Sequence, residues 1–284
     1  MRIGSLCSGA GGLDIAVESV FGAKTVWHCE INEAASKVLA LRWPGTPNYR
    51  DLTSTDWATV EPIDILTGGY PCQPFSHAGQ RKGTDDERHI WPYVREAIRH
   101  LRPRYTFMEN VAGHRSLGFD SVLADLAADG MDVRWTSVRA SDVGAAHGRE
   151  RLFMLVTDAE GAGEGAGLRP GRVPLQSRGG SRLHPDSART TRHSINDYGP
   201  FTAAVRRWES VTGMVAPAAA ESTSDGRVMV SPAFAEWMMG WSPGWVTAVP
   251  DLSTEDQLRI CGNGVVPQAA EAALRYLLDV EVAA

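Results

Sequence analysis

A thiol is chemically useful when it is held in one direction and kept out of the apolar core. Cys72 has the sequence surroundings for both. It lies in Gly68-Gly69-Tyr70-Pro71-Cys72-Gln73-Pro74-Phe75-Ser76, directly after the apolar run at residues 63–67. A proline fixes its own φ and pushes the residue before it toward extended backbone, so flanking prolines restrict where the thiol points. Free cysteines are commonly buried as small hydrophobes. A Pro-Cys-Gln-Pro turn at the end of a strand is a poor place for that fate.

Other segments carry further polar chemistry at the ends of apolar runs. Glu109 sits in Phe107-Met108-Glu109-Asn110-Val111. Arg149 and Arg151 sit in His147-Gly148-Arg149-Glu150-Arg151, just ahead of a run of apolar residues. Two residues apart on an extended segment, the two arginines share a face. Near the N-terminus, Ser8-Gly9-Ala10-Gly11-Gly12 separates a strand pattern from a helix pattern. Glycines there let the backbone approach a ligand and leave helix N–H groups free. Glu30 ends the second strand pattern, where a carboxylate can accept from ribose hydroxyls. Asp51 follows the next break and could accept from an adenine amino group. Alone, each acid reads as a surface carboxylate. In this order, the turn and the two acids point to a nucleoside-bearing cofactor at the carboxyl ends of the strands. The last such segment is Cys261-Gly262-Asn263-Gly264-Val265-Val266-Pro267, expected to be a turn that opens the final helix.

The elements that must position these residues follow from periodicity. Strands are expected at residues 2–6, 25–29, 63–67, 105–108, 132–138 and 152–157. Helices are expected near 13–21, after Asn32 as cap, near 93–101 and near 120–128, the last ending at Gly130. This alternation predicts an α/β fold with a mostly parallel sheet covered by helices on both faces. It stops after Thr157. Residues 161–192 are rich in Gly, Arg, Ser and Pro and read as a long loop. A short helix is expected at 201–208, an irregular stretch at 215–220, a helical spacing in Phe234, Trp237 and Met238, and a last helix at 267–280.

The bulk properties exclude several classes. The chain has 284 residues, 43% hydrophobic and 22% charged, within the range of ordinary globular protein. It has no long apolar run of membrane-spanning length and no secretory-type apolar core at its start. Its four cysteines, Cys7, Cys29, Cys72 and Cys261, form no CxxC pair, so no disulfide framework and no metal site are expected, and a reducing cytoplasm fits. The net charge is −6, which by itself speaks weakly against nucleic acid. Its distribution is uneven: residues 160–207 hold eight arginines against four acids. A solvated loop and a DNA contact explain that stretch equally well.

Taken in order, the glycine turn, Pro-Cys-Gln, Glu-Asn-Val, Arg-Glu-Arg and the late Gly-Asn turn resemble the cytosine-5 DNA methyltransferase family. The resemblance covers residues 3–156 and 231–273. It implies a Rossmann-like, S-adenosylmethionine-dependent methyltransferase fold. Residues 1–157 would form the catalytic and cofactor-binding domain, residues 158–230 a short irregular target-recognition region, and residues 231–284 a segment returning to complete the first domain. It implies that Cys72 is the nucleophile, that Glu109 supplies the proton at cytosine nitrogen 3, that Arg151 binds the cytosine carbonyl, and that Arg149 is its companion. It implies that S-adenosyl-L-methionine is lined by Cys7, Ala10 and Gly12, with Glu30 on its ribose and Asp51 on its adenine. Ile31 and Leu52 would flank that adenine, Trp91 would cover the donor, and Asn263 and Val265 would close the pocket.

A target base inside a duplex is out of reach of a thiol, so the resemblance implies a flipped cytosine. The loop at residues 76–88, with Gly79, Arg81, Lys82 and Gly83, has the composition of a basic lid. Duplex DNA is the expected partner, with a cognate restriction endonuclease beside it, no membrane, a monomeric chain and a cytoplasmic setting. A tRNA cytosine-5 methyltransferase and a catalytically idle DNA-binding protein are the alternatives. The chain departs from the family pattern at Ser5, where Asp is frequent, at Tyr70, where Pro is frequent, and at His147, where Gln is usual. Arg88-His89-Ile90-Trp91 follows the pattern loosely.

Overall fold

The computed structural model describes residues 1–71, 90–158, 198–222 and 226–278. The candidate nucleophile Cys72, the loop at 76–88 and the Arg-rich stretch at 161–192 lie outside the described residues.

A six-stranded sheet forms the centre. Its strands are β1 (Arg2–Leu6), β2 (Lys24–Cys29), β3 (Ile65–Gly68), β4 (Tyr105–Val111), β5 (Met131–Arg139) and β6 (Glu150–Asp158). They lie in the order β2-β1-β3-β4-β6-β5. The pairs β1–β2, β1–β3 and β3–β4 are parallel, while β6 runs antiparallel to both β4 and β5. The expected mostly parallel α/β sheet is therefore what the chain builds. The intervening helices are α1 (Gly12–Phe21), α2 (Glu33–Arg42), α3 (Trp91–Leu101) and α4 (Phe119–Ala128). The later part adds α5 (Thr202–Thr212), a two-stranded hairpin of β7 (Ala220–Ser222) and β8 (Val228–Val230), then α6 (Pro232–Met238), α7 (Thr254–Asn263) and α8 (Pro267–Leu277).

Side chains alternate across the sheet with period two, which splits the core in two. Ile3, Ile65, Phe107, Phe153 and Leu155 face one cluster, shared with α1, α5, α6 and α8. Leu6, Leu66, Met108, Leu152 and Met154 face the other, shared with α3 and α4. Each helix contributes one apolar stripe: Val94, Ala97 and Ile98 on α3, and Phe119, Val122 and Leu126 on α4. Asn32 caps α2 as expected, its side chain accepting from Ala35 N–H at 2.9 Å.

Several boundaries differ from the sequence expectation, each for a packing reason. Strand β4 continues past Met108 to Val111, because β6 pairs with it along that whole length. Residues 202–212 form a longer helix than expected. Its Val205 and Trp208 enter the same core as β1 and β4, and the fully buried Trp208 indole donates to Trp237 O at 3.0 Å. Truncating a side chain buried in that way costs roughly 3–5 kcal/mol, so α5 is anchored in the main body, inside the stretch that composition sets apart. The Cys261–Pro267 turn is also corrected. Cys261 and Asn263 end the helix α7, and only residues 264–266 turn before α8. Ser253 caps α7, accepting from Asp256 N–H at 3.1 Å. The polar sequence of α7 hid its periodicity. Among the described residues no helix is long and apolar enough to cross a membrane, and no group of His, Cys, Asp and Glu could hold a metal ion.

Candidate active site

The carboxyl ends of the parallel strands open on one cavity of about 420 Å³, lined by residues from both halves of the sheet. That volume suits a cofactor-sized ligand. The first wall comes from β1 and β2. After β1 the chain turns sharply, with Cys7, Gly9 and Gly11 at positive φ. Gly11 caps α1 at φ 78, a conformation that favours glycine. Gly12 is required for a second reason: a Cβ there would lie 2.3 Å from Val265 O. The turn is held from outside as well, since the Trp245 indole donates to Ala10 O at 2.9 Å.

Glu30 leaves the end of β2 and is only 8% exposed. Its Oε2 accepts from Gly9 N–H at 2.8 Å and its Oε1 from Asn32 N–H at 2.7 Å. The carboxylate is therefore fixed against the glycine turn, and each oxygen keeps a lone pair for a ligand. Ile31 beside it is 67% exposed and forms the same wall. Cys7 completes it; burial pushes its thiol well above the usual range, with the Glu30 charge adding to the effect.

The second wall comes from β4 and β6. On an antiparallel strand the residues at the carboxyl edge of the sheet are those at its start. That is why Arg149 and Arg151 precede their apolar run, while Glu109 follows its own. Glu109 pairs with Phe153 and Val111 with Arg151, which puts Glu109 and Arg151 on one face, on the diagonal that long side chains can span. Arg151 Nε lies 2.7 Å from Glu109 Oε1. The approach is a close ion pair rather than an aligned hydrogen bond, since Oε1 has no aligned donor among the described residues. Burial raises the Glu109 pKa above the ordinary carboxylate value, against the opposing pull of Arg151 and Arg149. Arg149 Nη2 donates to Gly264 O at 3.0 Å, tying β6 to the turn before α8. Burial first, and the Arg151 charge second, lower the Arg149 pKa to about 10, so it stays cationic at neutral pH.

His147, at the position where Gln is usual, spans the same junction. Its Nε2 lies 3.0 Å from Met238 O, and Arg149 N–H approaches its Nδ1 at 3.4 Å. The Nε2-protonated tautomer satisfies both contacts, so the ring offers one donor and one acceptor as an amide does.

Of the expected site residues, Cys7, Glu30, Ile31, Glu109, Arg149, Arg151 and Asn263 share the cavity wall. Ala10, Gly12, Leu52 and Val265 are buried and do not line it. Asp51 is off the wall, its Oδ1 accepting from Thr53 N–H and Oγ1 at 2.9 and 2.7 Å; those two bonds hold its carboxyl below the ordinary range. Trp91 is not among the residues that line the cavity: it is 5% exposed, its indole donates to Asp125 Oδ2 at 2.8 Å, and it packs on Tyr70 with ring centroids 5.4 Å apart.

The sequence reading gave no role to Tyr70, Asn110 or Arg259, all on the wall. Asn110 Nδ2 donates to Tyr70 O at 3.1 Å, and Tyr70 Oη lies 2.9 Å from His114 Nε2. Tyr70 and Asn110 lie inside the Pro-Cys-Gln and Glu-Asn-Val segments, so their position is a signal the sequence offers. Arg259 gave none, because the helix that carries it went unread.

A sheet of this order, with a glycine turn after β1 and an acid after β2, defines an α/β protein built for a nucleoside-bearing cofactor. The family model for C-5 cytosine-specific DNA methylases matches residues 1–201, and the chain belongs to that family. Members of this family use S-adenosylmethionine as methyl donor. The Type II methyltransferase M.HgiCII of Herpetosiphon aurantiacus is 32% identical over 162 residues, covering 54% of this chain and 36% of that protein. The Type II methyltransferase M.NlaX of Neisseria lactamica is 31% identical over 160 residues, covering 54% of this chain and 51% of that protein. The matches thus span about a third to a half of those relatives. The crystal structure of the S. pombe Dnmt2 methyltransferase shares the fold, with a TM-score of 0.69 at 15% identity over 98% of each chain.

Proposed function

We propose that this chain is a DNA (cytosine-5-)-methyltransferase that methylates carbon 5 of a flipped cytosine in duplex DNA, with Cys72 as nucleophile. The supporting observation is the cavity on which Glu30 meets Glu109, Arg149 and Arg151. The donor fits what is there: a cavity of cofactor size and an acid with both oxygens fixed beside a glycine turn. S-adenosyl-L-methionine, when bound, supplies an electrophilic methyl group. Cys7, Glu30, Ile31 and Asn263 would contact it, while Ala10, Gly12, Leu52 and Val265 shape the turns behind them.

Carbon 5 of cytosine is a weak nucleophile. Addition of the Cys72 thiolate to carbon 6 makes the ring enamine-like. Glu109 assists by giving a proton to ring nitrogen 3, and its burial favours the protonated form. Arg151 receives the carbonyl oxygen as negative charge builds there. Arg149 and Arg151 together favour the thiolate. Carbon 5 then takes the methyl group as the methyl–sulfur bond of the donor breaks, leaving S-adenosylhomocysteine. A base, water included, takes the carbon-5 proton, the bond from Cys72 to carbon 6 breaks to release the thiolate, and nitrogen 3 returns its proton to Glu109.

This reading sets the chain in DNA modification beside a cognate restriction endonuclease, as a monomer in the cytoplasm. The test is transfer of labelled methyl to duplex DNA and to tRNA, together with trapping on DNA containing 5-fluorocytosine. Label in DNA and a covalent adduct are expected from the wild type. Cys72→Ala abolishes both and keeps donor binding. Label in RNA alone, or turnover by Cys72→Ala, overturns the reading.

A further inference from the structure

The carboxylate of Glu30 is only as well placed as its backbone, and that backbone is held by two side chains: Ser36, whose Oγ donates to Glu30 O at 3.0 Å, and Asn48, which alone holds both its N–H and its C=O. Strand β2 is an edge strand whose outer side is covered at His28 by the chain at 47–49. His28 N–H donates to Pro47 O at 2.9 Å and Tyr49 N–H to His28 O at 2.8 Å. Two residues further on, backbone pairing stops and the Asn48 side chain takes its place. Asn48 Oδ1 accepts from Glu30 N–H at 2.9 Å, and its Nδ2 donates to Glu30 O at 3.1 Å. The same amide accepts from Arg50 N–H at 3.0 Å and donates to Ser36 Oγ at 2.9 Å. Both lone pairs and both N–H bonds are used, and the two backbone N–H donors allow only this orientation of the amide.

The segment also reaches the next residue, since Arg50 Nη2 donates to Ile31 O at 3.0 Å. Glu30 is thus gripped at its N–H and its C=O by Asn48, and at its two carboxylate oxygens by Gly9 and Asn32. Its rotamer is set before any ligand arrives. Binding then avoids the entropy of ordering it.

We propose that Asn48 is a positioning residue for the nucleoside part of the donor, holding Glu30 so that its carboxylate meets the ribose hydroxyls. This rests on the donor site described above. It assigns to the donor's affinity a side chain that does not line the cavity.

The experiment is equilibrium titration of S-adenosylhomocysteine, and of its 2′,3′-dideoxyribose analogue, into wild type and Asn48→Asp. The aspartate keeps the acceptor, loses both donors and sets a charge against Glu30 O. The expected result is about tenfold weaker binding of S-adenosylhomocysteine. The analogue is expected to bind both proteins within about twofold, because it does not use the Glu30 carboxylate. Equal loss for both ligands would show that Asn48 holds the fold or the adenine and would overturn the proposal. So would unchanged binding of S-adenosylhomocysteine by Asn48→Asp. Failure of the wild type to bind S-adenosylhomocysteine at all would instead overturn the donor site on which the proposal stands.

Discussion

Glu30 and Glu109 are each 8% exposed and stand on the wall of the same cavity. Their surroundings are opposite. Glu30 sits in the parallel half of the sheet and gives its oxygens to backbone N–H groups. Glu109 sits where the antiparallel strand joins and faces two arginines. Backbone donors fix a carboxylate in space without asking it to change charge. Burial beside cations leaves one whose protonation is contested, raised by desolvation and lowered by Coulomb attraction. On the proposed mechanism one acid holds the donor and the other exchanges a proton with the base. Equal exposure hides the distinction, and only the identity of the donors reveals it.

The sharpest way to break this contrast is Glu109→Gln. The amide keeps the shape and loses the exchangeable proton. Loss of a positioned acid typically costs ~10²–10⁴-fold in rate, and that is the expected fall in single-turnover methyl transfer. Affinity for S-adenosylhomocysteine should stay within about threefold of wild type, since the change lies in the proton-exchanging half. A parallel collapse of affinity would mean that the two acids do one job.

The converse substitution, Glu30→Gln, should act on binding. The amide has a single acceptor oxygen, so its NH₂ must face either Gly9 N–H or Asn32 N–H, donor against donor. A hydrogen bond to a charged group contributes about 1.5–3 kcal/mol, which predicts roughly 10–100-fold weaker S-adenosylhomocysteine binding. At saturating donor, kcat should fall far less than in Glu109→Gln. A larger effect on kcat than on the donor KM would undo the assignment of roles.

How much of this contrast could be read before the structure depends on the range of the interactions. The strand ends, the glycine turn and the Asn32 cap are local, and periodicity showed them. Glu109 and the two arginines were legible as residues at strand ends. Their 2.7 Å pairing needed β6 to run antiparallel, which no local pattern states. Helix α7 escaped because its buried residues are few, Ile260 and Cys261, on an otherwise polar helix. Trp91 shows how aromatic residues serve cores and ligands alike: Asp125, thirty-four residues away, accepts its indole N–H, a partner that no local pattern states. Asn48 carries no motif at all; its role exists only once residues 47–49 lie beside β2.

The holding half has an acid of its own that the site does not use, and it yields the smallest of the expected effects. Asp14 lies at 0% exposure beneath the glycine turn, accepting from Ser5 Oγ at 2.9 Å and Thr67 Oγ1 at 2.5 Å. Burial raises its pKa from 3.8 to about 7, despite those two bonds. His28 Nδ1 is 4.0 Å from its Oδ2, and burial lowers the His28 pKa from 6.5 to about 4. Between those values the folded chain keeps a proton on Asp14 that the unfolded chain has lost, so this group makes stability fall as pH rises from about 4 to 7. His28 does the reverse: the folded chain refuses a proton that the unfolded chain takes, so stability rises with pH from about 4 to 6.5. The two slopes oppose each other over nearly the same window. Asp14→Asn keeps an oxygen for the hydroxyls and removes one slope. Its Tm should therefore climb with pH between about 4 and 6.5 more steeply than that of the wild type, by on the order of a few degrees across the window. Taking the difference between variant and wild type cancels the titration of every other carboxylate. Parallel Tm profiles would show that Asp14 holds no such proton in the fold.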